Sequence, residues 1–409
     1  MPEPAPLRRN RDFQLLWIGQ AASALGSRAS AVAYPLLVLV LTGSPAQAGL
    51  VGFAATIPYL LVQLPAGVLV DRVDRRRAMI GCDIGRLMAL AGLAAAVAAG
   101  HAPTIFIAAV ALVEGCLTVV FNLAELSAVQ LLVPSVQLES ALSQNEARVR
   151  GAGLVGQPLG GALFGLGRAV PFAFDAASYV VSLVTLAAIR RPLYASDAEE
   201  RRHPGVEMAE GLRWLWGQPF MRATTLLVAG SNGLFQAVTL AVIVVARSHG
   251  SSPAVIGLIL AGFGAGGLAG AAAAPWVSAR IPAGVVVIGA NWVWAGLLPV
   301  IALVPSSIAI AAAGAGMAFV GPIWNVVLGS LEMRLTPPAM LGRVQAVQMT
   351  AAFGAIPLGS LVGGLLLDRL GPDGTVWVLA AGMLVVAVLA TLTPSVRRPP
   401  VSVPAAASP

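Results

Sequence analysis

The sequence predicts an all-α polytopic membrane protein with twelve transmembrane helices in two pseudo-symmetric six-helix bundles. Composition is the first of three observations behind this. Hydrophobic residues reach 57%, charged residues only 11%, and mean hydropathy is +0.84. Soluble domains carry about 25% charged residues, so a water-facing surface could not be covered. The second is a series of apolar runs of the length needed to cross ~30 Å of hydrocarbon. The third is a repeat. Ser44-Pro45 and Gly49-Leu50 recur as Ser252-Pro253 and Gly257-Leu258 at an offset of 208, where Gly81 also meets Gly289 and Asp83 meets Asn291. Further on the offset is 203, and Phe121-Asn122 meets Trp324-Asn325, Pro134 meets Pro337, and Gly160-Gly161 meets Gly363-Gly364. Two like-oriented halves place a solute site at their interface.

The elements follow in order. A polar leader ends at Asp12 and opens into the first span, 13–41, far longer than a signal peptide's apolar core and without a small-residue cleavage site, so it is expected to stay uncleaved. Ser44-Pro45 punctuates before 48–70, and an arginine cluster separates that run from 78–99. The first half continues with 104–132, 142–166 and 172–189. A polar linker of mixed charge with a Pro204-Gly205 breaker leads, through a short amphipathic stretch around Met208 to Trp216, into the second half. Its spans are 222–246, 254–277, 283–304, 307–331, 341–367 and 375–392. The expected organisation is a bundle over 1–190, a linker over 191–221, a bundle over 222–393 and a disordered Pro- and Ala-rich tail over 394–409.

The net charge of +7 is carried by arginine alone. Of 25 arginines, 20 fall on one predicted side or at its helix ends. Arg168, Arg247 and Arg369 lie opposite, and Arg28 and Arg86 fall inside spans. The positive-inside rule then places both termini and the linker in the cytoplasm of a cell-membrane protein, and no nucleic-acid partner is needed to explain the charge. Cys82 and Cys116 both lie in apolar segments, and His101, His203 and His249 sit on separate loops, so neither a disulfide framework nor a metal cluster is expected. Gly262, Gly264 and Gly267 match the spacing of a dinucleotide loop but lie inside an apolar helix. Gly262, Gly266 and Gly270 instead repeat every four residues, as close helix packing requires. No Walker sequence occurs, so ATP-driven pumping is not expected, nor are enzymatic activity or a cofactor.

One loop carries a more specific signal. Gly67-Val68-Leu69-Val70-Asp71-Arg72-Val73-Asp74-Arg75-Arg76-Arg77 resembles the signature loop of the major facilitator superfamily. Gly67 is expected to permit close packing, Asp71 to face a helix N-terminus, and Arg72, Arg75 and Arg76 to hold the loop at an anionic surface. Asp83 and Arg86, three residues apart, are candidates for the same conformational latch. Asp74 departs from the glycine frequent in the family, and the second half keeps only Pro275, Ala279 and Arg280 at the matching positions. Gly151, Gly153, Gly156, Pro158, Gly160 and Gly161 resemble the motif of proton-coupled exporters in that superfamily, with Gln157 where glycine commonly precedes the proline. Asn145-Glu146-Ala147-Arg148, Gly321-Pro322-Ile323-Trp324-Asn325, Leu341-Gly342-Arg343-Val344 and Pro357-Leu358-Gly359 are similar to the branch that holds the enterobactin exporter and macrolide efflux proteins, the transmembrane secretion effectors. The resemblance covers about 7–392 and implies efflux of a bulky amphipathic drug or natural product by a monomeric antiporter, with protons as the coupling ion.

Periodicity nominates the path. Gln20, Ser23, Ser27, Ser30 and Tyr34 share one face of the first span, and Asn232, Gln236 and Thr239 share one of the seventh. Glu114, Thr118, Asn122 and Glu125 stripe the fourth span, Asn122 matches Asn325, and Trp324, Trp292 and Trp294 are aromatic candidates for stacking on a substrate. Glu114 lies ten residues beyond Thr104, about 15 Å down at ~1.5 Å per residue. An ionised carboxylate there costs several kcal/mol, which makes Glu114 the leading proton carrier, with Arg28 as its partner or competitor and Glu125 as runner-up. A lysophospholipid or nutrient transporter of the same fold and a membrane receptor that binds without transporting are the alternatives.

Overall fold

The structure is a computed structural model that describes residues 6–194, 204–337 and 340–399; the side chains of Leu64, Asp71 and 204–207 also lie outside the described residues. The chain opens with a 3-10 turn, Leu7–Arg9, and α1, Arg11–Thr42, started by the Asn10 side chain accepting from the Phe13 amide at 3.2 Å. The second span is broken into α2 (Pro45–Thr56), α3 (Pro58–Leu61) and α4 (Gln63–Arg72). Pro58 and Pro65 have no N–H to give to the carbonyls of Ala54 and Leu61, so the run bends where the sequence suggested one helix. Then come α5 (Arg75–Ala98), α6 (Thr104–Leu132), α7 (Leu138–Leu166) and α8 (Val170–Ala188). After them follow α9 (Pro204–Gly217), α10 (Pro219–Ser248), α11 (Pro253–Arg280), α12 (Ala283–Leu303) and α13 (Ser307–Leu335), and then α14 (Leu341–Leu392) and α15 (Pro394–Arg397).

Nine of the described helices are long and apolar enough to cross a membrane. Helix α14 holds two spans, because Gly371 breaks it at φ 70°, a conformation that favours glycine, and Pro372 opens the next stretch. The loop expected over 368–374 is thus compressed to one glycine. Helix α7 has 29 residues but enters through a charged first half, and α2 to α4 form one broken span, which completes the twelve-helix architecture.

The chain divides into two compact units, Met1–Glu200 with Ser252–Ala261, and Arg201–Ser251 with Gly262–Pro409. In the first, α1 packs on α8 and α7, and α5 on α6 and α8. Its arginine-rich end is closed by a core that includes Leu7, Phe13, Met79, Phe121, Leu132 and Leu193. In the second, α10 and α12 pack on α14, and α12 also on α13. The four-residue glycine repeat of α11 lies along α13 with the same period. A Cβ on Gly262 would stand 3.0 Å from the Ala311 carbonyl oxygen, one on Gly266 2.7 Å from Ala315 Cα, and one on Gly270 2.8 Å from the Phe319 carbonyl carbon. Small residues let these backbones approach, as expected of membrane helices.

Candidate coupling site

The polar stripe of α1 does not stand free. It is buried against α8, whose Asp175, Ser178, Tyr179 and Ser182 form a matching stripe at helical spacing. Gly19 and Gly26 allow the contact: a Cβ on Gly26 would lie 2.5 Å from Ser178 Oγ and 2.9 Å from Asp175 Cα. Across this seam Gln20 Nε2 donates to Ser182 Oγ at 3.0 Å, and Ser27 Oγ and Tyr179 Oη share a bond at 3.1 Å. Gln20 and Ser27 therefore tie helices together; polar side chains in an apolar medium find partners on the neighbouring helix.

Glu114 of α6 is half-buried and is the meeting point of three helices. Tyr34 Oη from α1 donates to its Oε2 at 2.7 Å, and Tyr179 Oη from α8 to its Oε1 at 3.4 Å. The expected partner Arg28 is absent from this cluster. It is exposed, one residue away from the stripe and so turned by about 100° from it, and its Cβ backs on Gly156. The cation that joins the cluster is Arg86, through the Tyr179 ring. Its guanidinium lies 4.3 Å over the Phe121 ring and 4.6 Å over the Tyr179 ring and pairs with Asp83. Ser182 Oγ donates to Asp83 Oδ2 at 2.6 Å. Asp83 and Arg86 are 0% and 3% exposed, so they belong to a buried network running from Gln20 through Ser182, Asp83, Arg86 and Tyr179 to Glu114 and Tyr34. Asp175 is also fully buried, with Ser178 Oγ donating to its Oδ1 at 3.2 Å and its Oδ2 unpartnered among the described residues. The α8 residues are what the sequence reading missed, because Asp175 lies near a helix end; the spacing 175, 178, 179, 182 was the available signal.

Other candidates are placed differently. Glu125 is locked by Arg148 Nη2 at 2.7 Å, which gives Arg148 of the Asn145 to Arg148 stretch a structural role and removes Glu125 from the free carboxylates. Asn122 and Asn325 are exposed. Gly156 and Gly160 of the exporter-like motif pack on the α1 backbone at Leu25 and Ala29, and Gly161 on Pro253, around a helix containing Pro158. Among the described residues, a Cβ on Gly151 or Gly153 would meet nothing within 4 Å.

In the signature loop, a Cβ on Gly67 would meet nothing within 4 Å among the described residues, and the Asp71 side chain lies outside them. Asp74 is the N-cap of α5, accepting from the Arg77 amide at 3.1 Å, which explains its departure from glycine. Arg76 donates to the Leu186 carbonyl at 2.9 Å and to that of Ala187, capping the end of α8, while Arg75 is buried and Arg72 exposed.

The second unit repeats the positions without the charges. By the two offsets Asp83 corresponds to Asn291, Arg86 to Trp294, Glu114 to Met317 and Phe121 to Trp324. Trp294 stacks edge-on with Trp324 at 5.3 Å and with Phe235 at 5.0 Å, and its Nε1 donates to the Met317 carbonyl at 2.8 Å. Trp324 Nε1 and Asn291 Oδ1 are buried without a partner among the described residues. Asn232 Nδ2 donates to the Ala352 carbonyl at 3.0 Å, Gln236 is half-buried, and Trp292 is exposed and bonded to Thr391 at 3.0 Å.

A family model described as transmembrane secretion effector matches residues 3–401. The chain is 27% identical over 402 residues to the multidrug efflux pump Tap of Mycolicibacterium fortuitum, covering 94% of this chain and 96% of that one. It is 25% identical to macrolide efflux protein A of Streptococcus pyogenes, covering 92% and 94%. Among solved structures, the nucleoside transporter NupG superposes with a TM-score of 0.73 at 13% identity, covering 93% of this chain and 98% of that one. A bacterial homologue of the iron transporter ferroportin gives 0.73 at 16%, covering 95% and 99%. Likeness at that identity concerns the fold alone.

Proposed function

We propose, for a chain that belongs to the transmembrane secretion effectors of the major facilitator superfamily, proton-coupled export of an amphipathic drug-like or natural-product molecule. The full-length similarity to two efflux proteins supports the cargo class and direction. In this reading residues 1–190 and 222–393 are the two bundles, 191–221 the linker, and the protein is a monomer in the cell membrane with both termini cytoplasmic.

The observation that carries the coupling is the convergence of Tyr34 and Tyr179 on Glu114, with Arg86 over the Tyr179 ring. Arg86 pairs with Asp83, and two further carboxyl groups, Glu114 and Asp175, also lie inside spans. Full ionisation leaves uncompensated charge, which a low-dielectric interior penalises, so protons are the natural counterweight. Ionised, Glu114 accepts from both tyrosines and draws α1, α6 and α8 together; protonated, it gives up acceptor capacity and loosens that joint. A cationic substrate group near Glu114 favours the ionised form and releases the proton. Competition for one carboxylate is sufficient for antiport.

The test is Glu114→Gln in inverted vesicles at several pH values. Substrate binding retained with gradient-driven accumulation lost supports the role. Normal pH-dependent accumulation removes Glu114 from the mechanism, and binding without accumulation in the unsubstituted protein would favour a receptor.

A further inference from the structure

Away from the coupling site, the arginine-rich end of the first unit holds a cavity of about 560 Å³ lined by Arg9, Arg11, Arg190 and Arg191, with Asn10, Asp12, Pro134 and Gln137 completing the wall. The wall is held by bonds between distant segments. Asn10 Nδ2 donates to the Leu132 carbonyl at 2.8 Å, which also receives Arg191 Nη1 at 3.4 Å. The carboxylate of Asp12 accepts the backbone amides of Arg190 and Arg191 at 3.4 and 3.3 Å. Asp12 is thereby committed to the main chain. Among the described residues it is the one acidic group in the lining, against four arginines. Leu7 is buried in the adjoining core, which anchors the turn carrying Arg9.

The cavity sits where α1 begins at Arg11, α6 ends at Leu132 and α8 ends at Ala188, the level at which apolar helices leave hydrocarbon for headgroups. Guanidinium forks match phosphate oxygens in pairs, and basic pockets at the ends of membrane helices suit phosphate-bearing headgroups. We infer that this cavity binds the phosphate of an anionic phospholipid from the adjoining leaflet. The site depends on the chain spanning a membrane and is independent of cargo and coupling ion.

A headgroup-photoreactive phosphatidylglycerol, incorporated into phosphatidylcholine vesicles with the full chain, tests this directly. Crosslinks are expected to concentrate on peptides carrying residues 9–12, 134–137 and 190–191, and to fall at least about tenfold in a variant with Arg9, Arg11, Arg190 and Arg191 all replaced by Gln. The same charge removal at Arg397 and Arg398 is expected to leave them unchanged. Crosslinks spread evenly over all arginine-bearing loops of the unsubstituted protein, a reading that needs no variant to fold, would overturn the site. Displacement of the lipid by equimolar inorganic phosphate assigns the cavity to free phosphate and overturns the lipid assignment. Because Glu114 plays no part, failure here leaves the transport reading standing, and failure there leaves this one.

Discussion

Two tyrosines meet Glu114 at unequal distance, and this ranks their importance. Tyr34 Oη is 2.7 Å from its carboxylate oxygen and Tyr179 Oη 3.4 Å from the other. A hydrogen bond to a charged group contributes about 1.5–3 kcal/mol, and a long one less. Tyr34→Phe is therefore expected to reduce gradient-driven accumulation in inverted vesicles roughly tenfold, and Tyr179→Phe by less, since phenylalanine keeps the ring beneath Arg86. Equal initial rates for Tyr34→Phe and unsubstituted protein would exclude the bond from coupling. Residue type and spacing made Glu114 and Tyr34 legible in the sequence. They did not reveal which arginine joins the buried network, because Arg28 and Arg86 both lie in spans. Only the packing of α5 on α8 turns Arg86 inward, while Arg28 falls one residue off its helix's polar face.

At the level of elements, the glycine repeat of α11 offers an internal control. A side chain at Gly266 would press on the Ala315 backbone, whereas one at the adjacent Gly267 would meet only the Ala318 carbonyl oxygen at 3.9 Å. Gly266→Ala is expected to cost about 1–3 kcal/mol by forcing α11 from α13, and Gly267→Ala to be tolerated. Thermal unfolding in detergent reads the difference, and equal midpoints would show that the repeat does not set this packing. The period of four was visible without coordinates. The three-piece second span and the near absence of a loop at Gly371 were not, because hydropathy averages over a window wider than a proline break or a single glycine turn.

For the whole molecule, the proposed orientation rests on the arginine count, which a bilayer reads as charge that resists translocation. Single cysteines placed at Ser196 or Ser408 are expected to escape a membrane-impermeant thiol reagent added to intact cells, and labelling of either would invert the topology. The twofold repeat was legible from matched pairs such as Phe121 and Trp324. The division between a charged first unit and an aromatic second one emerges only when Arg86 and Trp294 are seen each beside its own partner ring.

The cap that Arg76 places on α8 makes that helix a lever. Its clamped end at Leu186 lies seven residues, about 10 Å, from Tyr179. A rigid rod transmits a tilt at one end to every side chain along it, so loosening the clamp displaces Tyr179 and Ser182 together, and through them both Glu114 and Asp83. Damage to transport from Arg76→Gln would then travel mechanically to the carboxylates, whereas damage from Asp71→Asn would report on the proposed latch. The two halves of one short loop would fail for different reasons.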